Sequence, residues 1–522
     1  MDKRTLLAIA ISMGIMLVWM KVFPPATNKP EPAPAQNAPA ATATADGAGA
    51  AAPATGGQDK ALPATKVGAE KQVTLVGQDA KFVLSTWGGV LRQVELTEPR
   101  FIDRKTGAGL PMLALTRSDL GNLAVSLPKA DFALPGGAWE VTQPDPTTAV
   151  FRSESDKVAI EKRYHIDGRF QLGLEVTIEN KGEAPINGNL ALHLYERQNP
   201  EHKGGGFFSG QADLASIVCF RSDKDKAHRG TVEHLAKEPM RESGAVGWAA
   251  AETKYFAVAA VPHPSIAGER ACEARAVDGE NAEGVFAFAP RTIPAHGKTT
   301  YPFAVFAGPK YRDVLDNVRP GGVDVKLQEV VDVTFVVLSK PLLIMLKIFH
   351  GWVGNWGLAI IMLTLFVKLL TLYPTHRAMM SGKKMQRLGP KMQELRKKYE
   401  NDRQRMGMET MNLYKQNGVS PLGGCLPSLI TMPIWIALFS TLNYAVELYR
   451  APFFGYIHDL SARDPYFITP LIMGAIMFAQ MKMTPAGVDP QQQKMMTILM
   501  PVMFTSFSLF LAAGLAIYTL TN

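Results

Sequence analysis

Apolar positions fall into two regimes along this chain. Over residues 66–322 they alternate with polar ones in short stretches, at 73–76, 81–84, 90–96, 149–152, 158–165, 170–179 and 190–195. Turn formers such as Asp167-Gly168 and Asn180-Lys181-Gly182 separate them. A period of two gives each strand one face to bury, so the pattern predicts an antiparallel β-sandwich. Beyond about Val330 the alternation gives way to long apolar runs near 356–373, 422–446, 466–483 and 495–511. A short run over 514–522 follows the small residues Ala512-Ala513-Gly514. Runs of this length match the hydrocarbon thickness of a bilayer, which predicts a polytopic α-helical membrane core over 354–522.

The remaining segments connect these two parts. Residues 1–23 carry Lys3 and Arg4, then an apolar stretch ending near Trp19 and Lys21, with Pro24-Pro25 directly behind it. No small-residue cleavage site closes that stretch, so it reads as an uncleaved transmembrane anchor starting in the cytoplasm. Residues 24–65 are rich in Pro and Ala and almost free of large apolar side chains, which makes them a tether. Residues 323–353 form an amphipathic lead-in interrupted at Pro341.

The formal charge of +8 raises the question of a nucleic-acid partner, but its placement answers otherwise. Between 375 and 420 there are eleven Lys or Arg against four Asp or Glu, a net +7 in one loop between apolar runs. The positive-inside rule puts such a loop in the cytoplasm and the β-domain across the membrane. No DNA partner is expected. Cys219 and Cys272 lie 53 positions apart in the polar part and either pair or remain two buried thiols; Cys425 lies in an apolar run. No metal-ligand spacing, phosphate loop or nucleophile elbow occurs, so neither cofactor nor enzymatic activity is expected.

The chemistry centres on Lys368, inside the run WGLAIIMLTLFVKLLTLYP. At 100° per residue Thr364, Lys368 and Thr371 fall within about 60° of one another and form a polar stripe. An intramembrane ammonium costs at least ~2.5–3.5 kcal/mol. Lys368 either snorkels toward the interface, six residues or roughly 9 Å away at Pro374, or faces protein or a water-filled cavity. The aligned threonines favour the second arrangement. Methionine is the other signal. Of 24 in the chain, 18 follow Ile344, and the charged 375–420 loop holds Met385, Met392, Met406 and Met411 among others. Met385, Leu388, Met392, Leu395 and Tyr399 recur at helical spacing, and 401–416 offers a second helix. This predicts a cytoplasmic hairpin whose sulfur-rich face either adapts to varied apolar ligands or packs on itself.

Several ordered stretches carry a family resemblance: Gly354-Asn355-Trp356-Gly357, Leu413-Tyr414-Lys415, Pro421-Leu422-Gly423-Gly424-Cys425, Met432-Pro433-Ile434, Ala451-Pro452-Phe453, Ile457-His458-Asp459-Leu460, Asp464-Pro465-Tyr466, Asp489-Pro490 with Gln493-Lys494, and Gly514-Leu515. In these the chain resembles the YidC membrane protein insertases of the Oxa superfamily, in their long form with a large periplasmic domain. The resemblance implies a five-helix insertase core, an N-terminal anchor, a periplasmic β-supersandwich and an amphipathic helix on the outer membrane surface. It implies a hydrophilic groove lined by Thr364, Thr371 and Thr431 around Lys368, where many relatives carry arginine. Substrate contacts carry over to Thr364, Met432, Trp435 and Tyr518. The implied function is that of a membrane protein insertase and chaperone for nascent membrane proteins in the bacterial inner membrane, acting alone or with the Sec translocon, with the ribosome and the lipid bilayer as further partners. Relatives continue past the position of Asn522, so a truncated last span is expected. Two rival readings are a secondary transporter using Lys368 as coupling residue and a carbohydrate-directed periplasmic enzyme on a membrane anchor. The first calls for internal repeats and a second midplane ionisable group, and neither is seen.

Overall fold

The computed structural model describes residues 69–522 apart from 104–105, 114, 116, 118, 129, 131–136, 201–212, 334–335, 400–401, 419–425 and 484–489. The anchor and tether expected over 1–65 therefore lie outside the described residues. The chain divides into a β unit up to Val331 and a helical unit from Asp332.

Alternation in the sequence becomes two-faced strands. In Gln171–Asn180 the residues Leu172, Leu174, Val176 and Ile178 are buried, while their neighbours are mostly half-buried. This strand sits inside a nine-stranded antiparallel sheet, in the order Lys226–Thr231, Ser216–Arg221, Val246–Glu252, Phe256–Pro262, Lys298–Pro309, Gln171–Asn180, Val158–Gly168, Thr148–Glu154, Glu140–Asp145. A five-stranded sheet, ordered Met240–Gly244, Arg270–Ala276, Asn281–Phe288, Ala191–Arg197, Ala124–Ser126, packs face to face on part of it. A four-stranded sheet of Gln72–Val76, Ala80–Ser85, Val90–Leu96 and Leu110–Pro111 completes the larger layers. Two short helices, α1 (Val232–Lys237) and α2 (Arg312–Leu315), belong to this unit. The β-sandwich expected from the alternation is the observed architecture.

Cys219 and Cys272 are joined in a disulfide, with Cα atoms 5.9 Å apart. One cysteine lies in the nine-stranded sheet and the other in the five-stranded sheet, so the bond staples the two layers. The choice the sequence left open is settled by the sandwich itself, which sets the two strands opposite each other. Lys162 is fully buried, and its ammonium donates to the carbonyls of Gly88 (2.8 Å), Gly89 (3.1 Å) and Leu123 (2.7 Å). One buried cation thus pins three loop carbonyls, an arrangement that burial tolerates because each N–H finds an acceptor.

The helical unit comprises α3 (Val336–Val353), α4 (Trp356–Arg387), α5 (Gly389–Lys398), α6 (Arg403–Gln416), α7 (Leu426–Tyr444), α8 (Ile468–Met483), α9 (Pro490–Ser508) and α10 (Ala513–Thr521). Two expectations are corrected. Pro341 does not break the lead-in: α3 runs through it, giving up only the one bond that its absent N–H would make to the Val337 carbonyl. The run expected to end at the membrane face near Tyr373 continues as helix to Arg387, so Met385 belongs to α4 and the hairpin's first helix begins only at Gly389. At 1.5 Å per residue, α4 is about 48 Å long, more than the ~30 Å of a hydrocarbon layer, so part of it stands in water. Among the described residues, 356–373 is the stretch long and apolar enough to cross a membrane alone; Ile468–Met483 and Thr497–Ser508 are shorter apolar helices.

Replacing Cys219 and Cys272 by alanine releases a loop of 53 positions. Chain entropy predicts a loss of about 4 kcal/mol in unfolding free energy. Denaturant titration of the β unit, followed by fluorescence of Trp248, checks this; a loss below ~1 kcal/mol would show that sheet packing alone sets the stability.

Candidate functional site

Among the described residues, apolar burial in the helical unit is concentrated at one end. At that end Leu346 and Phe349 of α3, Ala359, Ile360 and Leu363 of α4, Leu438 and Leu442 of α7, and Leu515 and Tyr518 of α10 share one buried cluster. The connection after α7 contributes Ala445, Leu448, Ala451, Ile457 and Leu460. Local sequence explains the closure. Gly354 turns the chain at φ +65°, a conformation that favours glycine. Asn355 then caps α4 by accepting from the Leu358 amide (3.1 Å), and Trp356 stacks on His350 with ring centroids 3.8 Å apart. Gly357 leaves room for the ring of Phe453, which a Cβ there would strike. In the connection, Asp459 accepts from the Arg450 amide (3.0 Å) and from the Ser461 amide (2.8 Å).

Asp464 organises the start of α8. Its carboxylate accepts from the Thr469 amide (2.7 Å), the Thr469 hydroxyl (2.6 Å), the Tyr466 amide (3.0 Å) and the Tyr456 hydroxyl (3.1 Å). Burial alone would raise its pKa, but these hydrogen bonds outweigh burial and hold it below the usual carboxylate value. Asp459 and Asp464 stood out in the sequence only as parts of the stretches that carry the family resemblance. The detectable signal was an Asp-Pro-Tyr followed by a threonine at the fifth position, which is a helix-start pattern.

Burial along α4 stops one turn before Lys368. Ala359, Ile360, Leu363 and Thr364 are buried, whereas Leu365, Phe366, Leu369, Leu370, Leu372 and Tyr373 are exposed, Leu369 by 69%. Lys368 is exposed within that apolar stretch, and among the described residues its ammonium has no ion-pair partner. The polar stripe therefore runs from packed interior to open surface, with Thr364 buried, Lys368 exposed and Thr371 half-buried. Both threonine hydroxyls donate to carbonyls of their own helix, Thr364 to Ile360 (2.7 Å) and Thr371 to Val367 (2.8 Å). Lys368 alone carries charge on this stripe, and Thr371 is its half-buried neighbour one turn on.

The other expected site residues are distributed around this boundary. Tyr518 joins the buried cluster with Ile360 and Leu363. Met432 is half-buried, and Trp435 is 40% exposed on α7, stacked on Phe439 at 5.5 Å. The side chains of Thr431 and Met385 lie outside the described residues. In the 375–420 region, Asp402 caps α6 by accepting from the Arg405 amide (3.0 Å), and the Tyr414 hydroxyl meets the Met392 sulfur at 3.9 Å. That contact joins α6 to α5, so Met392 serves the hairpin's own packing. Met406 is half-buried, while Met411 remains exposed.

Comparison with known proteins agrees along the whole chain. The family described as 60Kd inner membrane protein matches residues 348–522, and the family described as YidC periplasmic domain matches residues 74–345. A protein of Syntrophus aciditrophicus named membrane protein insertase YidC is 32% identical over 549 residues, covering 100% of this chain and 97% of the relative. One of the same name from Anaeromyxobacter dehalogenans is 34% identical, covering 100% and 95%. A crystal structure described as an active YidC insertase with its first transmembrane domain resolved aligns over 88% of this chain and 92% of that one, at 17% identity and a TM-score of 0.37.

Asp464→Ala removes the cap on α8 and is expected to cost about 1–2 kcal/mol at pH 7. Because the folded pKa of Asp464 lies below its unfolded value, its contribution is fully present above about pH 4 and is lost as pH falls through the lowered value. Thermal unfolding of purified protein checks both statements: the gap between wild type and variant should close below about pH 4, and an unchanged gap would refute the capping role.

Proposed function

The chain belongs to the YidC family of membrane protein insertases, and from the place of Lys368 on α4 we infer how its helical unit does that work. The protein inserts hydrophobic protein segments into a membrane. The helices are packed at one end and leave an apolar, lysine-bearing face of α4 uncovered at the other. That contrast carries the reading.

In this reading the open end faces the cytoplasm, because the loop carrying net +7 follows α4 there. The β unit lies in the periplasm, which the Cys219–Cys272 disulfide supports, since such bonds persist in oxidising compartments. A nascent membrane protein meets the exposed methionine side of the hairpin, Met408 and Met411 included, and its polar or acidic flank is drawn toward Lys368. Thr364 and Thr371, on the same stripe of α4 as Lys368, belong to the hydrophilic groove in which that flank avoids the full cost of desolvation. The apolar body of the client slides along α7, past Met432 and Trp435, into lipid. Tyr518 supports the groove wall from α10. The ribosome and the Sec translocon are natural neighbours at the two ends of this route, and retention of partly inserted segments gives a chaperone activity. No nucleotide enters, because partition of the client supplies the free energy.

Lys368→Glu is expected to slow insertion of substrates with acidic translocated flanks at least tenfold, or about 1.4 kcal/mol in the barrier, while Lys368→Arg keeps the charge and most of the rate. Insertion into proteoliposomes measures both. Unchanged insertion by the glutamate variant would exclude the electrostatic role.

A further inference from the structure

A charged pair stands at the packed end of the helical unit. The Lys347 ammonium of α3 lies 3.0 Å from a carboxylate oxygen of Glu447. Glu447 belongs to the single-turn 3₁₀ segment Val446–Leu448 that follows α7, and all three residues of that turn are buried. The Glu447 side chain is 5% exposed and that of Lys347 34%. The fold buries Glu447, because Ala445 and Leu448 on either side are drawn into the apolar cluster.

We propose that Lys347 and Glu447 are positioning residues that fasten α3 to the end of α7 and so keep the sealed end shut against water while the open end receives a client. The proposal rests on the insertase reading above. Two observations and one physical argument carry it. Leu346 and Phe349, which flank Lys347 on α3, are themselves part of the cluster that closes this end, so displacement of α3 would uncover Ile360 and Leu363 of α4. Ser339, two turns earlier on α3, donates its hydroxyl to the Ala437 carbonyl of α7 at 3.4 Å. α3 is therefore tied near two points, once to α7 itself and once to the turn that follows it, which limits its sliding along α7. Finally, an apolar contact of similar volume would hold two helices at least as firmly as a buried ion pair, whose distinctive contribution is direction and register. A pair retained at the rim of a seal fits that use. It also fits a contact that can be broken without dissolving the bundle, because the apolar cluster persists when the charges are lost.

Full-length protein reconstituted in vesicles of defined orientation tests this. Cys425→Ser removes the one cysteine outside the disulfide, and Thr364→Cys then reports closure through a membrane-impermeant maleimide added on the β-unit side. Labelling from that side is expected to rise at least tenfold in Lys347→Glu and in Glu447→Gln. In the exchanged pair, Lys347→Glu with Glu447→Lys, it should return to within twofold of the starting rate. A merely structural role would lower protein yield without moving side-specific labelling. Unchanged labelling in the single variants overturns the proposal, as does a rise that the exchange fails to reverse; if Lys347→Glu does not reconstitute, Glu447→Gln decides by the same readout. Thr371→Cys, labelled from the opposite side in otherwise unaltered protein, tests the groove separately: its failure to react counts against the insertase route and not against the fastener.

Discussion

A charge set where hydrocarbon would otherwise stand constrains the whole helical unit. An ammonium cannot face acyl chains at its full energetic penalty, so a helix carrying Lys368 among Leu365, Phe366, Leu369 and Leu370 requires water, protein, a client or the headgroup layer beside it. The rest of the unit can be read as a response. Packing is concentrated at the far end, where Gly357 seats Phe453 and Asp464 starts α8. That leaves the half of α4 bearing the cation uncovered without loosening the bundle. A site built this way gains precision from its supports rather than from its own partners.

The β unit solves a related problem by satisfying its buried charges. Lys162 is met by three carbonyls, and Glu283 accepts from Tyr195 (2.7 Å), His193 (2.9 Å) and Arg275 (2.7 Å). Those acceptances hold the Glu283 carboxyl down at about 2 despite burial, which alone would raise it. Closed networks of this kind rigidify a sandwich.

What could be read from the sequence follows from how local each feature is. Strands with one solvent face, such as Gln171–Asn180, announced themselves by alternation. Phe256–Pro262 and Asn281–Phe288, buried along their whole length, carry no alternation and escaped notice individually. Lys368 and its threonines were visible because helical periodicity is local, and their polarity contrasts with everything around them. Glu447 and Asp464 were not, since a carboxylate in a connection looks solvated until the fold closes over it. The pairing of Cys219 with Cys272 likewise depended on which sheets face one another. Pro341 misled because a proline inside a helix removes one hydrogen bond, a loss that packing of the apolar residues around it can offset.

The energetics show why a groove rather than an energy source is needed. Apolar residues at a span centre contribute roughly −0.3 to −0.6 kcal/mol each on insertion scales, so a client span of about 18 such residues gains on the order of 5–10 kcal/mol. Each acidic residue dragged through hydrocarbon costs about 2.5–3.5 kcal/mol on the same scale, so two or three of them oppose most of that gain while they are in transit. The equilibrium remains favourable, because those residues end in water on the far side. Only the barrier is at issue, and a cation with water and threonine oxygens along the route lowers the barrier without appearing in the final balance. The same reasoning requires the sealed end to stay shut: a route wet at both ends would conduct ions, and one wet from a single side does not.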